Sequence, residues 1–254
     1  MVRTVGHQVV AAFVFAGDTV LLLLRAMWFI VRGRVGVGRT IQQMAIAGAD
    51  SFPIVTVTLL FVGMAWGWHT ATYMVRFGAT SYFGGTTAVA IARELGPALC
   101  GVVVAARVGS AFAAQLGTMT VTEQVDALRA LAVNPVYYLV VPRLIACVVM
   151  LPILTIVAIA SGMLGAFVLA VHVGVSPGEY VTSIQQWLTN RDVFGGIGKT
   201  LVFGVVIAAV GCRQGLRTSR GAEGVGMATI SSVVLSIVLI YGFNFLLTAA
   251  LFRY

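Results

Sequence analysis

Long apolar runs, each close to the length of a membrane-spanning helix, dominate this sequence. Four runs meet or approach the roughly 20 residues that a helix needs to cross a bilayer: residues 51–75, 86–117, 138–173 and 225–252. A shorter run, 197–212, can also cross if the side chain of Lys199 extends to the interface. The pattern therefore predicts five membrane-spanning helices.

The apolar segment 9–31 differs from these runs because two charged residues interrupt it. Asp18 and Arg25 are seven positions apart and therefore share one face of a helix. A helix with one charged face is typical of a segment lying in the membrane interface. We therefore predict an interfacial or elbow helix within residues 1–45, with a sixth span as the alternative.

One short amphipathic segment, 119–135, lies between the second and third predicted spans. Thr120 and Glu123 match the S/T-x-x-E capping box, which predicts a helix over 121–133, and Asn134-Pro135 ends it. Its apolar positions fall on one face: Val121, Val125, Leu128 and Ala132. The segment is either an inter-span linker or a helix that docks to a partner.

Composition supports a membrane protein. The 254 residues are 59% hydrophobic and only 9% charged, with a mean hydropathy of +1.00. Soluble domains carry roughly 25% charged residues. The fold class predicted is therefore an all-α polytopic membrane protein, in which the N-terminal helix region and five spans form a single domain over residues 1–254.

The net charge of +8 is explained by arginine-rich loops on one side of the membrane, so we expect no nucleic-acid partner. With five spans, ten arginines fall on one side: Arg3, Arg25, Arg32, Arg34, Arg39, Arg129, Arg143, Arg213, Arg217 and Arg220. The other side has five basic residues: Arg76, Arg93, Arg191, Lys199 and Arg253. The positive-inside rule then predicts a cytoplasmic N-terminus and a periplasmic C-terminus.

Small residues recur at every fourth position in two of the predicted spans. The second span has Gly101, Ala105, Gly109, Ala113 and Gly117, and the third has Gly162, Ala166, Ala170 and Gly174. This spacing lets the backbones of two helices approach closely in lipid. It predicts tight helix packing, within one subunit or across a dimer.

Three charged residues in the second span are candidate functional groups, since charge within a span is costly. Arg93 and Glu94 lie near its outer end, where they could instead form a structural pair, and Arg107 lies deeper. Trp66, Trp68 and Tyr73 in the first span either line a lipid-facing cavity or belong to an aromatic belt.

Two classes of site are not expected. The stretch "GGIGKT", residues 195–200, lacks the first glycine of a phosphate-binding loop because Val193 occupies that position. The dispersed Cys100, Cys147 and Cys212, and the isolated histidines, lack the spacing of metal ligands. We therefore predict no nucleotide or metal site in this chain.

The stretches "RELGPALCGVVVAARVGSAFAAQLGTMTVTEQVDALRALAVNPVYYLVVPR" and "GCRQGLRTSRGAEGVG" resemble the MlaE/YrbE permeases, the membrane subunits of MCE-type ABC lipid transporters. The resemblance covers about residues 40–252. It implies that the segment 119–135 is a cytoplasmic coupling helix that docks into an ATPase. Its contact residues would be Glu123, Gln124, Asp126, Leu128 and Arg129.

The resemblance also implies a set of partners in a bacterial inner membrane. Two permease subunits, identical or paralogous, would pair above an ATPase dimer that binds ATP and Mg²⁺. A ring of MCE-domain proteins would lie on the outer face, and a small STAS-domain protein can join. Phospholipid or a related lipid would bind between the permeases, beside residues of the first span: Val62, Trp66, Trp68 and Tyr73.

A catalytic role is not expected, because the eight acidic residues are scattered over the chain rather than clustered. The alternative function is an ion-coupled secondary lipid carrier. Such carriers are typically built from inverted repeats with broken helices and charged sites at the membrane midplane. A requirement for either a separate ATPase or an ion gradient distinguishes the two functions.

Overall fold

The computed structural model describes residues 2–218 and 221–252, and only the backbone of residues 2–9, 11 and 12. Within these ranges the chain is helical and contains no strand. The helices are α1 (Val2–Val31), α2 (Val37–Ala47), α3 (Phe52–Arg76), α4 (Thr80–Ala90), α5 (Gly96–Val104), α6 (Ser110–Val121), α7 (Gln124–Ala130), α8 (Val141–Val173), α9 (Pro177–Trp187), α10 (Asn190–Leu216) and α11 (Gly221–Leu251). Two of the arginines used to predict orientation, Arg220 and Arg253, lie outside the described residues. The side chain of a third, Arg3, is not described either.

Six segments of the described chain are long and apolar enough to cross a membrane: Phe13–Val31, Val37–Arg76, Thr80–Val121, Val136–Val173, Asn190–Leu216 and Gly221–Leu251. Five of them correspond to the five predicted spans, so the all-α polytopic fold class is confirmed. Phe13–Val31 also has the length and hydropathy of a span. The interfacial position of this segment stays a prediction.

Three short π-helical turns interrupt the long helices: Ile91–Leu95, Ala105–Gly109 and Val136–Val140. The first contains Arg93 and Glu94, and the second contains Arg107. Such turns occur frequently at functional sites. Pro97 contributes to the first irregularity, because it has no backbone N–H to donate to the carbonyl of Arg93.

The described residues divide into two compact units. The first unit contains residues from 1–44, 105–147 and 205–236, and the second contains 45–104, 148–204 and 237–254. Each unit is built from segments that are distant in the sequence. Residue numbers alone therefore do not divide the chain into consecutive domains, and the single permease domain stays a prediction.

Glycines allow close helix contacts in the second unit. A Cβ added at Gly63 of α3 would lie 2.0 Å from the carbonyl oxygen of Gly162 in α8. One added at Gly67 would lie 2.7 Å from the Cα of Ala166. Small residues on both helices thus bring their backbones together, and the predicted close packing of the third span is confirmed within a single subunit.

The small residues of the second span also contact helices of the same chain. In the second unit, a Cβ added at Gly101 would lie 3.3 Å from the side chain of Phe203 and 3.4 Å from that of Ile240. In the first unit, Gly109 faces Ile207 at 3.4 Å, and its carbonyl accepts a hydrogen bond from Ser232 Oγ at 3.1 Å. This stripe therefore packs within the subunit as well.

The helix α9 was not predicted from the sequence, because its mixed composition has no span-like apolar run. It packs against α4 in the second unit, where the backbone N–H of Gly85 donates to Ser183 Oγ at 2.9 Å. The Tyr180 hydroxyl donates to the carbonyl of Met163 at 3.0 Å. Burial raises the pKa of Tyr180 to about 12, so the phenol stays neutral and keeps this hydrogen bond at physiological pH.

Candidate functional site

The predicted coupling segment contains a helix of only seven residues, α7, rather than the 13 or so predicted. Glu123 immediately before it has a φ of 61°, and Ala132 shortly after it has a φ of 58°. Left-handed backbone at a residue other than glycine is uncommon and costs about 1–2 kcal/mol. The two residues thus interrupt the right-handed helical path on either side of α7.

The predicted capping box is wrong. The helix α6 continues through Thr120 to Val121, and Thr120 Oγ1 donates to the carbonyls of Leu116 at 2.8 Å and Gly215 at 3.2 Å. Glu123 is the residue before the helix and makes no side-chain cap. The Thr120 hydroxyl is held by neighbouring helix carbonyls, so it does not cap a new helix.

The charged residues of this segment lie on an exposed surface. Val125 is 4% exposed and anchors α7, while Leu128 is half-buried. The exposed positions include Glu123, Gln124, Asp126 and Arg129, together with Leu131, which is 75% exposed. We call these five residues the α7 surface. Leu131 is the one large apolar side chain among these five residues.

Within the α7 surface, Arg129 and Asp126 form an ion pair. Arg129 Nη1 donates to Asp126 Oδ1 at 2.7 Å, one helical turn away, and both side chains are about two-thirds exposed. An exposed pair of this kind contributes little to stability, at most about 1 kcal/mol. Both groups therefore remain available for a partner without a large cost in folding free energy.

The four candidate lipid-contact residues do not share one face of α3. Its buried stripe is Val55, Leu59, Gly63, Gly67 and Ala71. At 100° per residue, Val62, Trp66 and Tyr73 lie together on one flank of that stripe, and Trp68 lies on the opposite flank. Trp66, Trp68 and Tyr73 are 40%, 50% and 58% exposed. A pocket lined by the first flank would need a second surface to close it.

A network of charged and polar groups lies in the second unit, centred on the buried Lys199 of α10. Its ammonium lies 2.9 Å from Glu94 Oε1, 2.6 Å from Thr248 Oγ1 and 2.8 Å from the carbonyl oxygen of Arg93. Asn244 completes it by donating from Nδ2 to Glu94 Oε2 at 2.6 Å. We call Lys199, Glu94, Asn244 and Thr248 the Lys199 network.

The predicted extension of Lys199 to the interface is wrong. Its side chain has 0% exposure, whereas that of Glu94 is 38% exposed. The carbonyl of Arg93 is available to the ammonium because Pro97 cannot donate the usual helical hydrogen bond to it. The sequence missed this network because Asn244 and Thr248 lie about 150 residues from Glu94.

Arg93 and Glu94 do not form the structural pair considered from the sequence. Arg93 instead binds Asp192, with Nη2 and Nε both 2.7 Å from Oδ1. Asp192 is buried, and its second oxygen accepts the backbone N–H of Thr189 at 2.9 Å. Adjacent charges thus have separate partners in α10. Arg107 is half-buried in its π-helical turn.

The stretch "GGIGKT" lies inside α10, with Lys199 and Thr200 fully buried. A Cβ at Gly196 would lie 2.0 Å from the carbonyl oxygen of Ala92. The glycine therefore permits a close helix contact. The buried Lys199 is held by the other members of its network, Glu94, Asn244 and Thr248. These residues have no geometry for cradling a phosphate.

The N-terminal helix is tied to the end of α10 by charge in the first unit. Asp18 of α1 accepts Arg213 Nη2 at 3.2 Å and Arg217 Nη2 at 2.8 Å. The guanidinium of Arg213 also lies 4.4 Å from the ring centre of Phe15. The two charges that interrupt segment 9–31 therefore differ in role, because Asp18 has partners and Arg25 lines a cavity described below.

The fold and these sites define a multi-pass helical membrane protein with a short exposed helix between two spans. A sequence-family model described as Permease MlaE matches residues 40–250. This chain therefore belongs to the MlaE permease family, as its motifs predicted, and is a permease subunit of an ABC transporter.

Relatives from distant organisms have similar sequences over nearly the whole chain. A probable ABC transporter permease protein of Synechocystis sp. is 43% identical over 248 residues, covering 97% of this chain and 92% of the relative. One from Rickettsia bellii is 35% identical over 252 residues, covering 99% and 97%. Protein TRIGALACTOSYLDIACYLGLYCEROL 1, chloroplastic, of Arabidopsis thaliana is 38% identical over 241 residues, covering 94% and 67%.

Proposed function

We propose that this permease moves phospholipid or a related lipid between a bacterial inner membrane and an MCE-domain partner, driven by ATP hydrolysis in a separate ATPase subunit. ATP and Mg²⁺ bind that partner. The permease acts as a pair, either of identical chains or with a paralogue, and a STAS-domain protein can join it. The arginine-rich loops face the cytoplasm and the C-terminus faces the periplasm.

The observation that carries the ATPase part of this proposal is the α7 surface. An inter-span linker has no need of exposed Leu131 among charges, nor of two left-handed residues that set the direction of a seven-residue helix. A docking helix needs a defined orientation and a contact surface of mixed polarity. Movement of α7 on ATP binding would then be transmitted through Val125, its buried anchor, to the spans.

Charge reversal on the α7 surface tests this assignment. We expect Glu123→Lys combined with Asp126→Lys to abolish co-purification of the ATPase while leaving membrane insertion intact. Both side chains are exposed, so their replacement leaves the packing of α7 unchanged, and like charges at a docking surface repel the cognate partner. The measurement is the ATPase-to-permease ratio after affinity purification in mild detergent.

The matched control is Glu179→Lys, which reverses an exposed charge on α9 that is not part of the α7 surface. A second variant, Glu123→Gly, keeps the left-handed backbone but removes the carboxylate. Retention of the ATPase by the double charge-reversal variant would refute docking at α7. Loss with Glu179→Lys as well would show a general assembly defect.

The lipid part of the proposal rests on the flank of α3 that holds Val62, Trp66 and Tyr73. These half-exposed side chains face away from the stripe that packs α3 in its own subunit. A second permease placed against this flank would close an apolar, aromatic-lined cavity of the kind that lipid chains enter. The contribution of Trp68 would differ, since it lies on the other flank.

Two tryptophan variants test which flank contacts lipid. We expect Trp66→Ala to reduce the phospholipid retained by the purified complex several-fold, because it removes a large apolar contact. Trp68→Ala is the matched control and should leave retention near the wild-type value. The readout is lipid per permease by mass spectrometry. The opposite ranking of the two variants would exclude the flank with Val62, Trp66 and Tyr73.

A further inference from the structure

A cationic cavity of about 460 Å³ lies in the first unit, between α1, the end of α10 and the residues before α8. Four arginines line it, with Asp18 as the one lining carboxylate: Arg25, Arg129, Arg213 and Arg217. The lining thus has a formal charge of +3, from four guanidinium groups and one carboxylate. This volume falls within the usual range for a small-molecule site.

The acidic groups near these arginines are already engaged. Asp18 is shared by Arg213 and Arg217, and Asp126 is bound by Arg129. Arg25 has no acidic partner among the residues that the structure describes. The Nε of Arg213 is buried and has no hydrogen-bond acceptor among the described residues. The cavity therefore has donors and positive charge in excess.

A second cavity of about 460 Å³ adjoins the first, and its character is apolar. Leu21, Arg25, Asn134 and Val136 line both cavities. The second cavity adds Leu24, Trp28 and Phe29 of α1. A cationic site beside an apolar one complements a molecule with an anionic head and hydrocarbon chains.

We propose that the two cavities together bind an anionic phospholipid of the adjacent leaflet. Arg25, Arg213 and Arg217 would contact its phosphate, and Leu24 and Trp28 its acyl chains. Basic pockets between helices on the cytoplasmic side of membranes recognise lipid head groups in this way. The leaflet is the cytoplasmic one if the proposed orientation holds. This lipid is distinct from transported lipid at the α3 flank.

Trp28 provides a direct reporter for the test. With Trp66, Trp68 and Trp187 changed to Phe, Trp28 is the one remaining tryptophan of this chain, and the signal of the partner chains is subtracted with a complex in which Trp28 is also changed to Phe. The complex is reconstituted into phosphatidylcholine vesicles to which one of two brominated lipids is added, phosphatidylglycerol or phosphatidylcholine. Bromine atoms on the acyl chains quench the fluorescence of nearby tryptophan. We expect brominated phosphatidylglycerol to quench Trp28 at a much lower mole fraction in the vesicle than brominated phosphatidylcholine does.

Removal of two of the lining arginines should weaken this preference. Arg25→Gln combined with Arg217→Gln should weaken it by about fivefold for each arginine, the effect of one basic residue near an anionic surface. Arg34→Gln is the matched control, an exposed arginine of the same side that does not line either cavity. It should keep the wild-type preference.

Three results would overturn the proposal. Equal quenching by the two brominated lipids would show that the cavities do not select an anionic lipid. Relief of quenching by inorganic phosphate would assign the cationic cavity to a soluble phosphate. A preference that appears only after the ATPase is removed from the complex would assign the cavity to that partner. The ratio of phosphatidylglycerol to phosphatidylcholine retained by the unaltered complex checks the same point without tryptophan substitutions.

Discussion

We expect Lys199→Met to be among the most destabilising single substitutions in this protein. Methionine fills much of the same volume but removes the ammonium, so the carboxylate of Glu94 loses its ion-pair partner. Loss of one member of a fully buried ion pair costs about 3–5 kcal/mol. Because the carboxylate of Glu94 is 38% exposed and keeps hydrogen bonds from Asn244 and Thr248, we expect about 1–3 kcal/mol here. Thermal unfolding in detergent, followed by fluorescence-detected size exclusion, measures the loss.

A double substitution separates the lost charge pair from lost packing. Lys199→Met with Glu94→Gln should recover part of the stability, because the glutamine amide is neutral and can still bond Asn244 and Thr248. Arg76→Met is the control, since it removes an exposed cation at the end of α3. Additive effects of the two changes would contradict the coupling between Lys199 and Glu94.

We expect Gly63→Ala to disrupt the contact between α3 and α8. The added methyl would lie 2.0 Å from the carbonyl oxygen and 2.7 Å from the carbonyl carbon of Gly162, both of which are backbone atoms. Because no side chain can rotate away, the two helices must separate. Overpacking of this kind typically costs about 1–3 kcal/mol, and it also moves the flank of α3 that carries Trp66.

Gly242→Ala provides a matched control in another span. A Cβ at Gly242 of α11 meets no atom within 4 Å, so the same chemical change should be neutral or slightly stabilising. The two variants are compared by melting temperature and by lipid retained per permease. Equal melting temperatures would contradict the close approach of α3 and α8 in the folded protein.

The sequence predicted the membrane class and the spans well because each depends on local composition. Five apolar runs correspond to five of the six span-like segments, with ends that differ by several residues. The repeats of small residues also predicted close packing, since in lipid only small side chains permit it. Family motifs then identified the permease family, which the comparisons confirm.

Some local predictions were wrong because tertiary contacts overrode the local pattern. Thr120 matched a helix-capping motif, yet its hydroxyl binds helix carbonyls, one of them from Gly215. Lys199 was expected at the interface because an isolated ammonium is costly within a span. Its partners Glu94 and Thr248 come from other helices and remove that cost, and nothing in the sequence near Lys199 indicates them.

The sequence by itself determined that this protein is a helical multi-pass membrane protein, because hydrophobic length and small-residue spacing are properties of single helices. Its motifs, compared with known families, identified the permease family. Only the tertiary structure decided which charges meet. It separated Arg93 from Glu94, gave each a partner in α10, and brought Asp18 to Arg213 and Arg217. It also decided which face of α3 is buried, which leaves Trp66 and Trp68 on opposite flanks of that stripe. These outcomes depend on which helix faces pack together, and that choice is made by many contacts between distant residues.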